Sequence, residues 1–164
     1  MKRLAIAFSG PSGSGKTTLI EKISNILSPD FKVAIIKHDP KDKATFDVEG
    51  KDSHRFFNTK AETIVVSPTR TTYFSHQARE LDELVKLLGD FDILLVEGLK
   101  TLPLPRLSIF RDEIDESYFN VSNAIAIDKS VDITSYQIPE NLGLLDLNDT
   151  EAIISWIWEN AKSV

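Results

Sequence analysis

Apolar positions come along this chain in two alternating rhythms, short unbroken runs and stripes at helical spacing. Residues 3–9 hold Leu4, Ala5, Ile6, Ala7 and Phe8 in a row, the mark of a strand buried on both faces. Leu19, Ile20, Ile23, Ile26 and Leu27 then recur at three- and four-residue steps, one face of a helix, which Pro29-Asp30 stop. Val33-Ala34-Ile35-Ile36 is a second buried run, closing on Lys37-His38-Asp39. Strand, helix and strand make a βαβ unit, which predicts a right-handed crossover and a parallel sheet.

The rhythm lapses over residues 40–51, rich in lysine and acid with Phe46 and Val48 as the main apolar members. This reads as an exposed, mobile loop. Asp52 or Ser53 can cap a short helix through Lys60. Thr63-Ile64-Val65-Val66-Ser67 and Thr71-Thr72-Tyr73-Phe74 read as strands. The turn between them is too short for a helical crossover, so the pair is expected to be antiparallel. Leu81, Leu84, Val85 and Leu88 predict a helix over residues 77–88, ended by Gly89. Buried strands follow at residues 92–98, 107–110 and 124–128, with one or two helical turns at residues 112–118. A final strand is expected at residues 142–147 and a helix at 150–161. In that helix Ile153, Trp156 and Ile157 form one apolar face and Ile154 and Trp158 a second. The wide stripe is either core on both sides or leaves Trp158 on a dimer or partner surface.

With 164 residues and no repeat, low-complexity tract or boundary, residues 1–164 read as one domain. Strands alternating with helices predict an α/β fold of three layers, a mostly parallel central sheet with helices on both faces and one antiparallel strand. The net charge of −6 argues against non-specific nucleic-acid binding. The chain has no cysteine, which excludes disulfides, thiol catalysis and cysteine-bound zinc and suits a reducing cytoplasm. No apolar run reaches the length of a membrane span.

The chemistry gathers at Gly10-Pro11-Ser12-Gly13-Ser14-Gly15-Lys16-Thr17, which is G-x-x-x-x-G-K-[ST] between a predicted strand and a predicted helix. In a phosphate-binding loop of this kind the N–H groups from Gly10 through Thr18, including those of Ser12, Gly13, Ser14 and Gly15, converge with a helix N-terminus on one anion. Lys16 reaches the outer phosphates and the Thr17 hydroxyl holds Mg²⁺. In an open α/β sheet the ligand sits outside the carboxyl ends of the strands, where Asp39, Glu97 and Asp128 are all expected. Glu97 ends Asp92-Ile93-Leu94-Leu95-Val96, a Walker B-like strand. It either serves the metal or an attacking water, or pairs with Lys100. Asp39 either completes the metal's outer shell or starts an Asx turn into Pro40. Asp128 is either a guanine reader or a solvated strand-end acid; a carboxylate accepts from guanine N1–H and its amine but faces an acceptor in adenine. His38 has no second histidine at ligand spacing and reads as a structural residue. Arg55, Arg70, Arg106 and Arg111 could each clamp phosphate, but arginines are more commonly solvated.

Taken together, Gly10–Leu19, Ile36-Lys37-His38-Asp39, Phe46-Asp47, Gly50-Lys51-Asp52-Ser53 with Arg55, and the stretch DILLVEGLK with Pro105 and Arg111 resemble the MobB family, adaptors of molybdopterin-guanine dinucleotide biosynthesis. The resemblance implies a P-loop NTPase fold, GTP and Mg²⁺ as ligands, weak GTPase activity and a homodimer. It also implies work beside the guanylyltransferase that joins GMP to molybdopterin, with molybdopterin itself a further partner. By that resemblance Gly13 to Thr18 bind phosphates and Asp39 and Glu97 serve the metal. Two departures stand out: Pro40 to Lys43 replace histidines often found there, and Thr59-Lys60-Ala61 replaces A-G-A. A small-molecule kinase and an assembly protein without chemistry are the competing readings. The 40–51 segment, without arginine, makes a poor kinase lid.

Overall fold

The computed structural model describes residues 3–164, and its chain divides into two compact units. One unit takes the chain up to His38 together with Val85–Val164; the other is Asp39–Leu84. In the first, β1 (Leu4–Ser9), α1 (Lys16–Leu27) and β2 (Val33–Lys37) form the expected βαβ start. The second unit holds α2 (Asp52–Phe57), β3 (Thr63–Val66) and β4 (Thr71–Phe74), with α3 (Leu81–Leu88) leading out of it. The first unit resumes with β5 (Ile93–Glu97), β6 (Arg106–Phe110), β7 (Ala124–Ile127), β8 (Gly143–Asp146), α4 (Thr150–Asn160) and β9 (Lys162–Ser163).

The sheet order is β2-β5-β1-β6-β7-β8, all parallel. The strand that ends in Glu97 therefore lies directly beside the strand that feeds the glycine loop, Phe8 opposite Glu97. β6 joins β1 only from Ala7 onward, and β9 fills the vacant first half of that edge by pairing antiparallel with Leu4 and Ala5. The sequence pattern misses β9, because two residues carry no periodicity.

One face of the sheet buries Ile6, Phe8, Ile93, Leu95, Leu107 and Ile109 under Leu19, Ile20 and Ile23 of α1 and Ile153 and Ile157 of α4. On the other face Phe110 and Ile125 pack beneath Ile114, Tyr118, Val131 and Leu142. The chain runs backward from β2 to β5, opposite to its step from β1 to β2, so a right-handed crossover sends residues 85–88 of α3 to that second face. Trp158 is half-buried, packed on the core and tilted against Phe31 at 5.0 Å between rings. The wide apolar stripe of α4 is core-facing on both of its sides.

Several elements differ from the sequence expectation. β2 is an edge strand and only half-buried, with Ile35 46% exposed, because a continuous apolar run does not distinguish an edge from the centre. α3 starts at Leu81 rather than residue 77: the Glu83 side chain accepts from the Glu80 N–H, a capping interaction that fixes the first turn there. The expected turns at 112–118 form a 3₁₀ helix at Glu116–Val121, started by the Asp115 carboxylate accepting from the Ser117 N–H at 3.0 Å.

The Asp39–Leu84 unit is small and leans on polar contacts. β3 and β4 are antiparallel, as expected, from Thr63–Phe74 to Val66–Thr71. Phe57 stacks on His76 at 3.7 Å. Glu62 gathers the Tyr73 hydroxyl, the Ser75 hydroxyl at 3.1 Å and the Arg79 guanidinium at 3.9 Å.

Arg106 is the largest wholly buried side chain, 1% exposed. It has no carboxylate partner among the described residues. Its guanidinium instead donates to Ser9 Oγ at 2.7 Å and to the carbonyls of Gly98 at 3.0 Å and Leu99 at 2.9 Å. Burial pushes its pKa down from the ordinary arginine value. Those acceptors hold a sharp turn after β5, in which Gly98 and the non-glycine Leu99 both have positive φ. Arg106→Met leaves these acceptors unpaired and is expected to destabilise the protein by about 3 kcal/mol, read as a lower urea midpoint at an unchanged slope; an unshifted midpoint would count against the structural role.

Candidate functional site

The glycine loop owes its shape to residues that tolerate unusual backbone. Gly10, Gly13 and Gly15 have φ of 135°, 78° and 97°, which side chains with a Cβ rarely adopt. Gly10 also leaves no space: a Cβ there would sit 2.3 Å from the Ile109 carbonyl oxygen on β6. Gly15 is the N-cap of α1 and supplies no side-chain cap, so side chains leave the helix's first N–H groups open.

A cleft of about 350 Å³ opens over this loop, lined by Ser12, Gly13, Gly15, Lys16, Thr17, Thr18, Lys37, Glu97 and Arg111. Lys16 Nζ folds back and donates to the carbonyls of Gly10 at 2.9 Å and Pro11 at 2.6 Å. Burial lowers its pKa, with Lys37 and Lys100 adding to the effect and Glu97 opposing it. The Thr17 hydroxyl donates to Glu97 Oε2 at 3.4 Å, and Lys37 Nζ lies 3.1 Å from Glu97 Oε1. The partner of Glu97 is thus Lys37 and not Lys100, whose ammonium sits 3.5 Å over the Tyr118 ring. Register explains this: Lys37 and Glu97 are opposite one another at the ends of paired strands. The sequence shows two apolar runs ending in opposite charges, at Lys37 and Glu97, but only the sheet order makes them neighbours.

At the other side of the cleft, the guanidinium of Arg111 lies 3.4 Å from where a Gly15 Cβ would stand. Its Nε is 3.2 Å from Asp128 Oδ2. Asp128 also accepts from the Ser130 hydroxyl and, at 3.0 Å, the Ser130 N–H. The Ser130 bonds first, then Arg111, hold its carboxyl below the usual range. Lys16, Thr17 and Glu97 therefore meet, and Asp128 stands one ion pair away. Arg106 is structural. His38 is exposed, its Cβ 3.0 Å from the position of a Gly98 Cβ. Asp39 belongs to the other unit, where its carboxylate accepts from the N–H groups of Lys43 at 2.7 Å and Ala44 at 2.6 Å.

These residues fit a polyphosphate with a divalent cation. The Ser14 hydroxyl is buried without a hydrogen-bond partner among the described residues, an unmet polar group where an anion's oxygens would arrive. Among the described residues no three His, Asp or Glu groups could cage a metal alone. Thr17 and Glu97 form the incomplete donor set suited to Mg²⁺ that keeps waters and shares phosphate oxygens.

Comparison with known proteins agrees with this architecture. The model of the MobB family, molybdopterin guanine dinucleotide synthesis protein B, matches residues 5–129. A Methanocaldococcus jannaschii protein, provisionally named a molybdopterin-guanine dinucleotide biosynthesis adapter, is 31% identical over 75% of this chain. The match spans about half of that relative, 54% of its length. The Haemophilus influenzae adapter of the same name is 28% identical over 93% of this chain and 86% of its own. In fold, the crystal structure of Bacillus subtilis MobB superposes with a TM-score of 0.74 at 23% identity, over 94% of this chain and 98% of that one. A MobB homologue from Bacillus stearothermophilus gives 0.67 at 20%, over 94% and 95%. With the family model covering most of its length and the phosphate loop, the chain belongs to the MobB family.

Proposed function

We propose that this chain is a GTP-binding adaptor of molybdopterin guanine dinucleotide biosynthesis, assisting the guanylyltransferase that attaches GMP to molybdopterin. The observation that carries the nucleotide reading is the meeting of Thr17 and Glu97, from adjacent elements, at the mouth of a glycine loop with open N–H groups. The adaptor role rests on family membership and on the names of the relatives. A homodimer in a reducing cytoplasm completes the proposal, consistent with the absence of cysteine; no helix among the described residues is long and apolar enough to cross a membrane.

In this reading the N–H groups of residues 13–18 cradle the phosphates, and Lys16 exchanges its two carbonyl bonds for phosphate oxygens. Thr17 and Glu97 would hold a magnesium ion there. The metal, when bound, neutralises charge on the outer phosphates. Glu97 also orients a water for attack. Turnover is slow because Arg111, the one arginine lining the cleft among the described residues, is paired with Asp128 and leaves Lys16 to face the developing charge. Asp128 reads guanine through the same carboxylate.

Lys16→Ala is expected to abolish GTP binding measurable by calorimetry; retained affinity would place the nucleotide elsewhere. GTP is expected to bind more tightly than ATP, and Asp128→Asn to erode the difference. Preference for ATP in the unmutated protein would sink both the guanine reading and the role of Asp128. Because burial lowers the Lys16 pKa in the free protein, a bound polyanion must raise it again. Binding in alkaline buffer is therefore expected to take up protons, seen as a heat that varies with the ionisation enthalpy of the buffer.

A further inference from the structure

The motif elements Phe46-Asp47 and Asp52-Ser53 take no direct part in the phosphate cleft, yet the fold of the Asp39–Leu84 unit gathers several of them around a cleft of their own. This second cleft, of about 200 Å³, is lined by Phe46, Asp47, Ser53, Arg70, Thr72 and Phe74, among others. Its charges are not spent on each other. Asp47 Oδ1 accepts the Val48 N–H at 2.8 Å, while Oδ2 is buried without a donor among the described residues. The guanidinium of Arg70 makes no hydrogen bond or ion pair among the described residues, and no ion pair joins it to Asp47 although both line the same space. Two phenyl rings complete the lining, and that of Phe46 is 83% exposed.

We propose that this cleft binds a flat heterocycle bearing a 2-amino-4-oxopyrimidine ring, the unit shared by guanine and pterins. A ring N–H and its neighbouring amino group form a donor pair that a carboxylate accepts, which supplies the hydrogen bond Asp47 Oδ2 lacks. The opposite edge carries the oxo group and a ring nitrogen, a pair of acceptors that a guanidinium forks. Phe46 and Phe74 offer apolar surfaces to a flat ring. Oδ2 is covered in the free protein, so entry parts the lining; Phe46, with its ring in solvent, is the side chain most readily moved. The site is separate from the phosphate loop in sequence and chemistry, since it reads a ring and not a polyphosphate. It deepens the proposed function by giving the adaptor a hold on one of the two ring systems that a molybdopterin guanine dinucleotide joins.

The test uses three probes on the whole protein: 6-hydroxymethylpterin, followed by its own fluorescence, guanosine, followed by calorimetry, and inorganic tripolyphosphate, which has no ring and reports on the phosphate loop alone. The pterin, guanosine or both are expected to bind the unmutated protein, and the tighter of the two identifies the source of the ring. Asp47→Asn and Arg70→Ala are each expected to weaken ring binding by about tenfold or more while tripolyphosphate affinity holds, which also shows that the variants are folded. Lys16→Ala is expected to do the reverse. Failure of both ring probes at millimolar concentration, or equal ring binding by folded Asp47→Asn and Arg70→Ala, would overturn the proposal. Loss of tripolyphosphate binding by the unmutated protein would instead overturn the nucleotide reading and leave this one standing.

Discussion

The Glu97 carboxylate is the point at which the first unit's chemistry is tied together. One of its oxygens takes the Thr17 hydroxyl from the start of α1, the other the Lys37 ammonium from the end of β2. Two elements distant from β5 in sequence are thus held to its one carboxylate, and the pairing is possible only because β5 lies between β1 and β2. A strand inserted elsewhere in the order would set the acid a full strand spacing away, too far for a direct hydrogen bond. Exposed pairs of this kind contribute little stability, and Lys37 is largely exposed. Their value here is positional: the acid is kept at the height of the loop, with both oxygens aimed across the cleft.

Much of this was legible in the sequence because it depends on patterns with strong periods. The eight-residue glycine motif, the continuous runs of β1 and β5 and the helical stripe of α1 all declare their structure locally. What was not legible depends on tertiary neighbours. Ile35 looked like core, since Val33 to Ile36 is as apolar as any central strand, but sheet order made it an edge. Where Glu97 is taken as an ion-pair partner instead of a metal or water ligand, nearness in sequence points to Lys100; strand register gives that place to Lys37. Arg106 looked like a solvated or phosphate-binding arginine and is fully buried, bound to a hydroxyl and backbone carbonyls that no motif announces. Asp128 offers the sequence reader either a guanine contact or a solvated strand-end acid; its pairing with Arg111 comes from two parallel strands ending side by side.

The two units spend their residues differently. The first hides its apolar side chains between sheet and helices, so its loops are free to carry charge. The second has a two-stranded sheet too small to bury much, and Ile64 and Val66 remain 62% and 74% exposed. Its order comes from Glu62 and its donors, and from rings stacked on rings.

Arg106 has a dynamic consequence. The same guanidinium binds Ser9, the last residue before the glycine loop, and the carbonyls of Gly98 and Leu99, the first residues after Glu97. Neither segment can open without unmaking bonds to a buried cation whose one further acceptor among the described residues, the Leu102 carbonyl at 3.4 Å, belongs to the same turn after β5. Amide protons at the base of the loop and in the turn after β5 should therefore exchange with solvent as one cooperative unit, though nearly ninety positions separate them along the chain. The phosphate loop and its acid would then respond to a ligand together.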